Sequence, residues 1–194
     1  ILGRLGNICL WSGRLDAAHL YYADALESAR AIGHRLLEAR MHGNLAITWH
    51  ERGRPDEAVA QYEAALAIER EIGSQRDEAI TLCNFADLLG GQGHTDRARA
   101  TFTAALALLR ELGDRDTEAI TLQQLGEFEL GQGLVDEALQ TMRTALELTR
   151  VIGNRRTQGH ALRSLGGALL ERGEYDDARS AFEQALAIAR AGSN

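Results

Sequence analysis

Residues 53–93 read GRPDEAVAQYEAALAIEREIGSQRDEAITLCNFADLLGGQG, two runs of similar length separated by the glycine at 73. In the first run apolar residues recur at three- and four-residue spacing, which is the period of a helix with one buried face. Ala58, Tyr62, Ala65 and Leu66 form that face with Ile68 on its margin, and Glu57, Gln61, Glu63 and Glu69 are expected to face water. Pro55 suits a first helical turn, and Asp56 beside it opposes the helix dipole and is expected to cap free N–H groups. Gly53, Gly73 and Gly93 each follow a run, where a left-handed residue stops a helix and only glycine enters that conformation without a Cβ penalty. The stretch is therefore expected to form two helices joined by a tight glycine turn.

Outward from it the pattern repeats. Gly13, Gly53, Gly93, Gly133 and Gly173 stand 40 residues apart, and Gly33, Gly73, Gly113 and Gly153 form a second series of the same period, with Gly192 one place early. Asp16, Asp56, Asp96, Asp136 and Asp176 follow the first series, then Ala18, Ala58, Ala98, Ala138 and Ala178, then the large residues Tyr22, Tyr62, Phe102, Met142 and Phe182. Arg30, Arg70, Arg110, Arg150 and Arg190 lie in the last turn of each second helix, where a cation complements the dipole. Ser74, Asp114 and Asn154 are expected to cap the helices after the second glycine series.

Composition narrows the function classes. A net charge of -7 is too acidic for general nucleic-acid binding, and all 21 basic residues are arginine, so phosphate loops and Schiff-base chemistry that need lysine are excluded. Cys9 and Cys83 lack metal-ligand spacing and read as packed, reduced thiols of a cytoplasmic chain. The histidines contain no pair at zinc-binding i, i+4 spacing, and the serines contain no Gly-x-Ser-x-Gly elbow. No metal, cofactor or catalytic constellation is expected, and a non-enzymatic chain is the reading. No apolar stretch is long enough to span a bilayer. The chain starts at Ile1 and reads as part of a longer one, and its lysine-free composition fits a GC-rich, bacterial genome.

The pairs Leu5-Gly6, Leu45-Ala46, Phe85-Ala86, Leu125-Gly126 and Leu165-Gly166, followed by the glycine, alanine, aromatic and alanine series, resemble the tetratricopeptide repeat across essentially the whole chain. The usual repeat has about 34 residues. The 40-residue form here is similar to repeats of the kinesin light chain, the spindle-orientation adaptors, and the sensor arms of bacterial signalling ATPases and maltose-regulator-like transcription factors. The resemblance implies an all-α fold, an α-solenoid (right-handed superhelix) of antiparallel helix pairs. It would be one solenoid over 1–194, with repeats 1–33 (N-terminally truncated), 34–73, 74–113, 114–153 and 154–194. Open apolar ends are expected to favour association of copies.

In the resembling family the first helices face the ligand. The matching positions are Arg40, Asn44 and Ile47, then Ile80, Asn84 and Asp87, then Gln123, Gln124 and Glu127, and finally His160 and Arg163. Side-chain amides pair with a peptide backbone whatever its sequence, although Asn44 and Asn84 equally suit hydrogen bonds to neighbouring helices. A chaperone-tail carboxylate clamp does not fit, because lysine is absent and Gly3 and Gly43 stand where a cation belongs; in the spindle-adaptor pattern Arg40 matches but Ile47 replaces the asparagine. By repeat the charge runs 0, -2, -1, -5 and +1, so the centre is acidic. With Asp87, Glu127 and Glu129 near that centre, the expected partner is a protein or peptide presenting a basic or amide-rich segment, and neither nucleic acid nor membrane. The leading expectation is a protein-interaction scaffold; the alternative is a small-molecule- or effector-sensing arm of a bacterial signalling ATPase or transcriptional regulator, with Trp49 as a stacking face.

Overall fold

The computed structural model describes residues 1–192; Ser193 and Asn194, the end of the fifth expected repeat, lie outside the described residues. Among the described residues there are ten helices and no strand. In order they are α1 (Leu2–Trp11), α2 (Leu15–Ala31), α3 (Arg35–Glu51), α4 (Pro55–Glu71), α5 (Gln75–Gly91), α6 (Thr95–Leu112), α7 (Arg115–Gly131), α8 (Val135–Ile152), α9 (Arg155–Arg172) and α10 (Tyr175–Ala191). Two compact units follow one another, Ile1–Ala105 and Leu106–Asn194. In the first, α1 packs on α2, α2 on α3, α3 on α4 and α4 on α5; in the second, α7 packs on α8, α8 on α9 and α9 on α10.

The glycine punctuation has a backbone cause. Gly13, Gly33, Gly53, Gly73, Gly93, Gly113, Gly133, Gly153 and Gly173 all have φ between 67° and 84°, the left-handed region. Each lies between one helix and the next, and after every one except Gly153 the amide one residue on bonds back into the preceding helix, as Ser74 does to the Glu69 carbonyl at 2.8 Å. Gly192, out of step in the sequence, is also out of step here, with φ -87°.

The periodic alanines lie fully inside the fold. Ala18, Ala58, Ala98, Ala138 and Ala178 are all 0% exposed, and Tyr22, Tyr62, Phe102 and Met142 behind them are at most 2% exposed. Burying a side chain of that size is worth about 2–3 kcal/mol, so this series supplies much of the packing energy. Phe182 is only partly buried. Where the small partner is glycine the fit is tighter still: a Cβ on Gly6 would stand 2.4 Å from the Tyr22 ring.

Two capping expectations change. The repeated aspartates sit second in their helices, after Arg14, Arg54, Leu134 and Glu174, none of which makes a side-chain cap bond. Their contribution is therefore charge against the dipole rather than a cap. Asp114 and Asn154 do cap, accepting from the Thr117 and Thr157 amides at 3.1 and 3.2 Å. Ser74 does not: its hydroxyl donates to Asp77 Oδ2 at 2.7 Å instead. His34 takes the capping part at the corresponding place, its Nδ1 accepting from the Leu37 amide at 3.2 Å.

The periodic arginines do more than complement dipoles. Arg30, Arg70 and Arg110 each donate from Nε to a glutamate eight residues on, Glu38 at 3.0 Å, Glu78 at 2.6 Å and Glu118 at 2.7 Å. Each pair fastens a second helix to the first helix of the next repeat. Glu38 and Glu118 also accept from Arg35 at 2.7 Å and Arg115 at 3.2 Å. Burial pushes the Glu38 carboxyl up, but the hydrogen bonds and charges of Arg30 and Arg35 outweigh it and hold the group below its ordinary value. Gln158 replaces the glutamate in the last repeat, and Arg150 turns to Glu147 at 2.5 Å.

Candidate functional site

The first unit contains a cleft of about 620 Å³. Its walls come from α1, α3 and α5, the first helices of successive repeats, and from α2 and the last turn of α4. Helices in equivalent places bring equivalent positions to one cleft, so Arg40, Asn44 and Ile47 of α3 line it together with Ile80 and Asn84 of α5 and Asn7 of α1. All five of these expected residues of α3 and α5 line the cleft. Asp87, one turn beyond Asn84, does not, although it is exposed.

The polar groups of this cleft divide into satisfied and unsatisfied ones. Arg40 is held by Asp77, Nε to Oδ1 at 2.8 Å and Nη2 to Oδ2 at 3.4 Å. Burial raises the Asp77 carboxyl, but the hydrogen bonds from Arg40 and Ser74, with the charges of Arg40 and Arg76, prevail and hold it below its ordinary value. Asn7 Oδ1 accepts from the Tyr22 hydroxyl at 2.7 Å. Burial, reinforced by Cys9, pushes that hydroxyl up to about 12, so it remains a donor. The side-chain amides of Asn44 and Asn84 make no hydrogen bond among the described residues. Of the two roles open to them in the sequence, serving neighbouring helices is not the one they fill.

One residue of the cleft contradicts its expected place. Glu69, expected to face water, is 1% exposed and lines the cleft. Its Oε1 accepts from the Thr81 hydroxyl at 2.9 Å, and its Oε2 is buried without a partner. Desolvation pushes the carboxyl up to about 7; Thr81 opposes that shift, the charges of Asp77 and Glu78 add to it, and Arg40 opposes it. The spacing held the signal: Tyr62, Ala65, Leu66 and Glu69 fall at i, i+3, i+4 and i+7, the buried stripe itself. The glutamate's polarity points to water, whereas its register places it inside. Its equivalents in the other repeats, Ala29, Leu109, Thr149 and Ala189, carry no charge.

Trp49 belongs to neither cleft nor core. Its ring meets His19 edge-on with centroids 4.5 Å apart, and the Arg52 and Arg54 guanidinium groups lie 4.8 and 5.0 Å from its centroid. It is not a lining residue of the cleft, so its stacking there is corrected.

In the second unit the expected residues fall into two places. Glu127 is exposed; its Oε1 accepts from Gln123 at 3.2 Å and from the Ser164 hydroxyl at 2.5 Å. Gln124 beside them is half-buried. His160 and Arg163 instead border an apolar recess of about 400 Å³ with Phe182 and Leu186, between α9 and α10. Glu129, counted with the acidic centre in the sequence, is 5% exposed and contributes no surface charge. Among the described residues no cluster of ligands could hold a metal ion, and no helix is long and apolar enough to cross a membrane.

The tetratricopeptide-repeat model matches residues 1–71, 37–111 and 116–191. No curated protein matches the sequence. Among solved structures, BtubC (BKLC) from P. vanneervenii is similar at 22% identity and a TM-score of 0.79, over 100% of this chain and 80% of that one. A putative kinesin light chain from Podosopora anserina with nearly identical TPR-like repeats aligns at 15% identity and 0.74, over 100% and 95%. A Rap protein complexed with competence and sporulation factor aligns at 19% identity and 0.86, over 97% of this chain and 53% of its own length.

Proposed function

The chain belongs to the tetratricopeptide-repeat family, and we propose that it is a non-catalytic protein-interaction scaffold that binds a peptide or extended partner segment in the cleft of its first unit. The observation that carries this reading is the pair Asn44 and Asn84, equivalent amides one repeat apart in the cleft wall, both without partners among the described residues. An amide offers a donor and an acceptor side by side, which matches the alternating N–H and C=O groups of an extended backbone. Complexes of similar folds support the class of ligand, since Rap proteins have been solved with competence and sporulation factor and with the Phr* peptide. Panning a random dodecapeptide display library against the chain tests it. Enriched peptides are expected to lose at least about tenfold in affinity against Asn44→Ala plus Asn84→Ala, a loss of roughly 1.4 kcal/mol or more. Undiminished binding to that variant refutes the cleft.

The partner segment in this reading is basic or amide-rich, because Asp87, one turn beyond Asn84 on α5, is an exposed acid beside the cleft. Asp87→Ala is expected to weaken binding of the enriched peptides and flatten its salt dependence; unchanged affinity and salt slope count against it. Self-association belongs to the same proposal, since Ile8 is 54% and Leu186 48% exposed. Sedimentation equilibrium over a hundredfold concentration range is expected to show weak dimerisation that Leu186→Glu removes. A cytoplasmic setting, where the buried thiols of Cys9 and Cys83 stay reduced, suits such a scaffold.

A further inference from the structure

Glu69 is a poor choice for stability alone. A carboxylate at 1% exposure with one oxygen unpaired stands where the other repeats have alanine, leucine or threonine. The internal cations of the cleft do not answer it: Arg40, on the facing helix, is taken up by Asp77 at 2.8 Å, and Arg4 of α1 lines the cleft without a bond to Glu69. The charged groups around Glu69 are Arg40 from α3 and Asp77 and Glu78 from α5. Glu78 is itself bound to Arg70 at 2.6 Å. What the site lacks is one positive hydrogen-bond donor.

We propose that Glu69 Oε2 is the acceptor for a primary ammonium group of the bound segment, an inference that rests on the cleft being the peptide-binding site. The geometry favours an ammonium over a guanidinium. Thr81 already donates to Oε1, so a planar fork would have to share that oxygen with the Thr81 hydroxyl, whereas an ammonium needs only Oε2 and directs its other donors elsewhere. The aliphatic side chains of Ile47 and Ile80 line the same cleft and suit the methylene stem of a lysine. This chain contains no lysine, so a side-chain ammonium comes from a different protein.

The test titrates the whole chain, followed by NMR at the Asn44 and Asn84 side-chain amides, with four heptapeptides of sequence Gly-Ala-Gly-X-Gly-Ala-Gly. Three are capped at both ends with X as lysine, arginine or norleucine, and one has norleucine with a free α-amine. The expected result is that the capped lysine peptide binds at least about tenfold more tightly than capped norleucine and more tightly than arginine, and that Glu69→Gln abolishes the preference while keeping the wild-type circular dichroism spectrum. Lysine binding is also expected to tighten by up to roughly tenfold from pH 6 to pH 8 as the carboxyl ionises, while a lysine ammonium stays charged. Binding by the free-amine norleucine peptide that stops tightening above about pH 7, because the α-amine loses its proton as the carboxyl goes on ionising, assigns the ammonium to a chain terminus instead of a lysine. Equal binding of capped lysine and norleucine, or a lysine preference that survives Glu69→Gln, overturns the ammonium site and leaves the peptide cleft standing. Absence of any shift with all four peptides at millimolar concentration overturns both.

Discussion

At the scale of single residues, Glu69 ties the cleft to the stability of the fold. Its carboxyl is raised to about 7, above the usual glutamate value of about 4.3 in an unfolded chain. Between those values the folded state holds a proton that the unfolded state has lost, so stability falls as pH rises through that window and stays low above it. Glu69→Leu, which copies the residue at 109, is expected to raise stability by about 1–3 kcal/mol at pH 8 and by little at pH 5. Urea denaturation at both pH values reads this directly, and a gain independent of pH means that packing rather than ionisation is responsible. Gly6 and Gly126 make a second comparison at this scale. A Cβ on Gly6 meets the Tyr22 ring at 2.4 Å, and that ring is pinned by its hydroxyl's bond to Asn7; a Cβ on Gly126 meets the Met142 Cγ at 2.7 Å and its Cε at 3.2 Å. Methionine has rotatable bonds with which to retreat and a tyrosine tied at both ends has not. Gly6→Ala is expected to lose about 1–3 kcal/mol, while Gly126→Ala, which also forces the buried Met142 Cγ aside, is expected to lose about 1 kcal/mol less because the outer methionine bonds can turn. Equal losses in thermal melts refute the distinction.

At the scale of the element, the joints between helices decide how repeats are fastened. Glycine turns were legible in the sequence because a left-handed stop depends on one residue and its immediate neighbours. The arginine–glutamate fasteners across those turns were not, since their residues lie on different helices and no helical period links positions eight apart. Only recurrence at the repeat length, Arg30 with Glu38, Arg70 with Glu78 and Arg110 with Glu118, carries them, and a terminal arginine already has a sufficient local explanation in the dipole. The caps were misread for a related reason: aspartate suits both the cap and the first turn, and only coordinates separate the two. Gln158 is the natural experiment. Arg150 and Arg155 stand where Arg110 and Arg115 flank Glu118, so Gln158→Glu supplies the missing acid between two cations. The half-buried position sets the scale, and a stabilisation of about 0.5–1 kcal/mol is expected in low salt, shrinking as salt is added. No change in the urea midpoint at low ionic strength refutes the fastener as a stabilising device.

At the scale of the whole molecule, a repeat chain has no single centre, and each helix pair is stabilised by what touches it on either side. The recurring leucine makes this quantitative: Leu26, Leu66, Leu106 and Leu146 are 5–8% exposed, but Leu186 is 48% exposed. The first helices give the same contrast, with Ile8 54% exposed against Thr48, Leu88, Phe128 and Ala168 at 0–8%. Leaving a leucine half in water forgoes on the order of 1 kcal/mol, and opening α10 or α1 breaks fewer contacts than opening α4 or α8. Amide hydrogen exchange on the intact chain is therefore expected to be at least tenfold faster in α10 and α1 than in α4 and α8. Within the first unit this places the cleft between a labile wall, α1, and a protected one, α3 and α5. A bound segment that grips Asn44, Asn84 and Glu69 alone leaves exchange in α1 unchanged, whereas one that also touches Asn7 slows it. The ratio of protection in α1 with and without an enriched peptide thus measures how much of the cleft the partner uses, and uniform protection along the free chain would sink the nearest-neighbour account on which that reading depends.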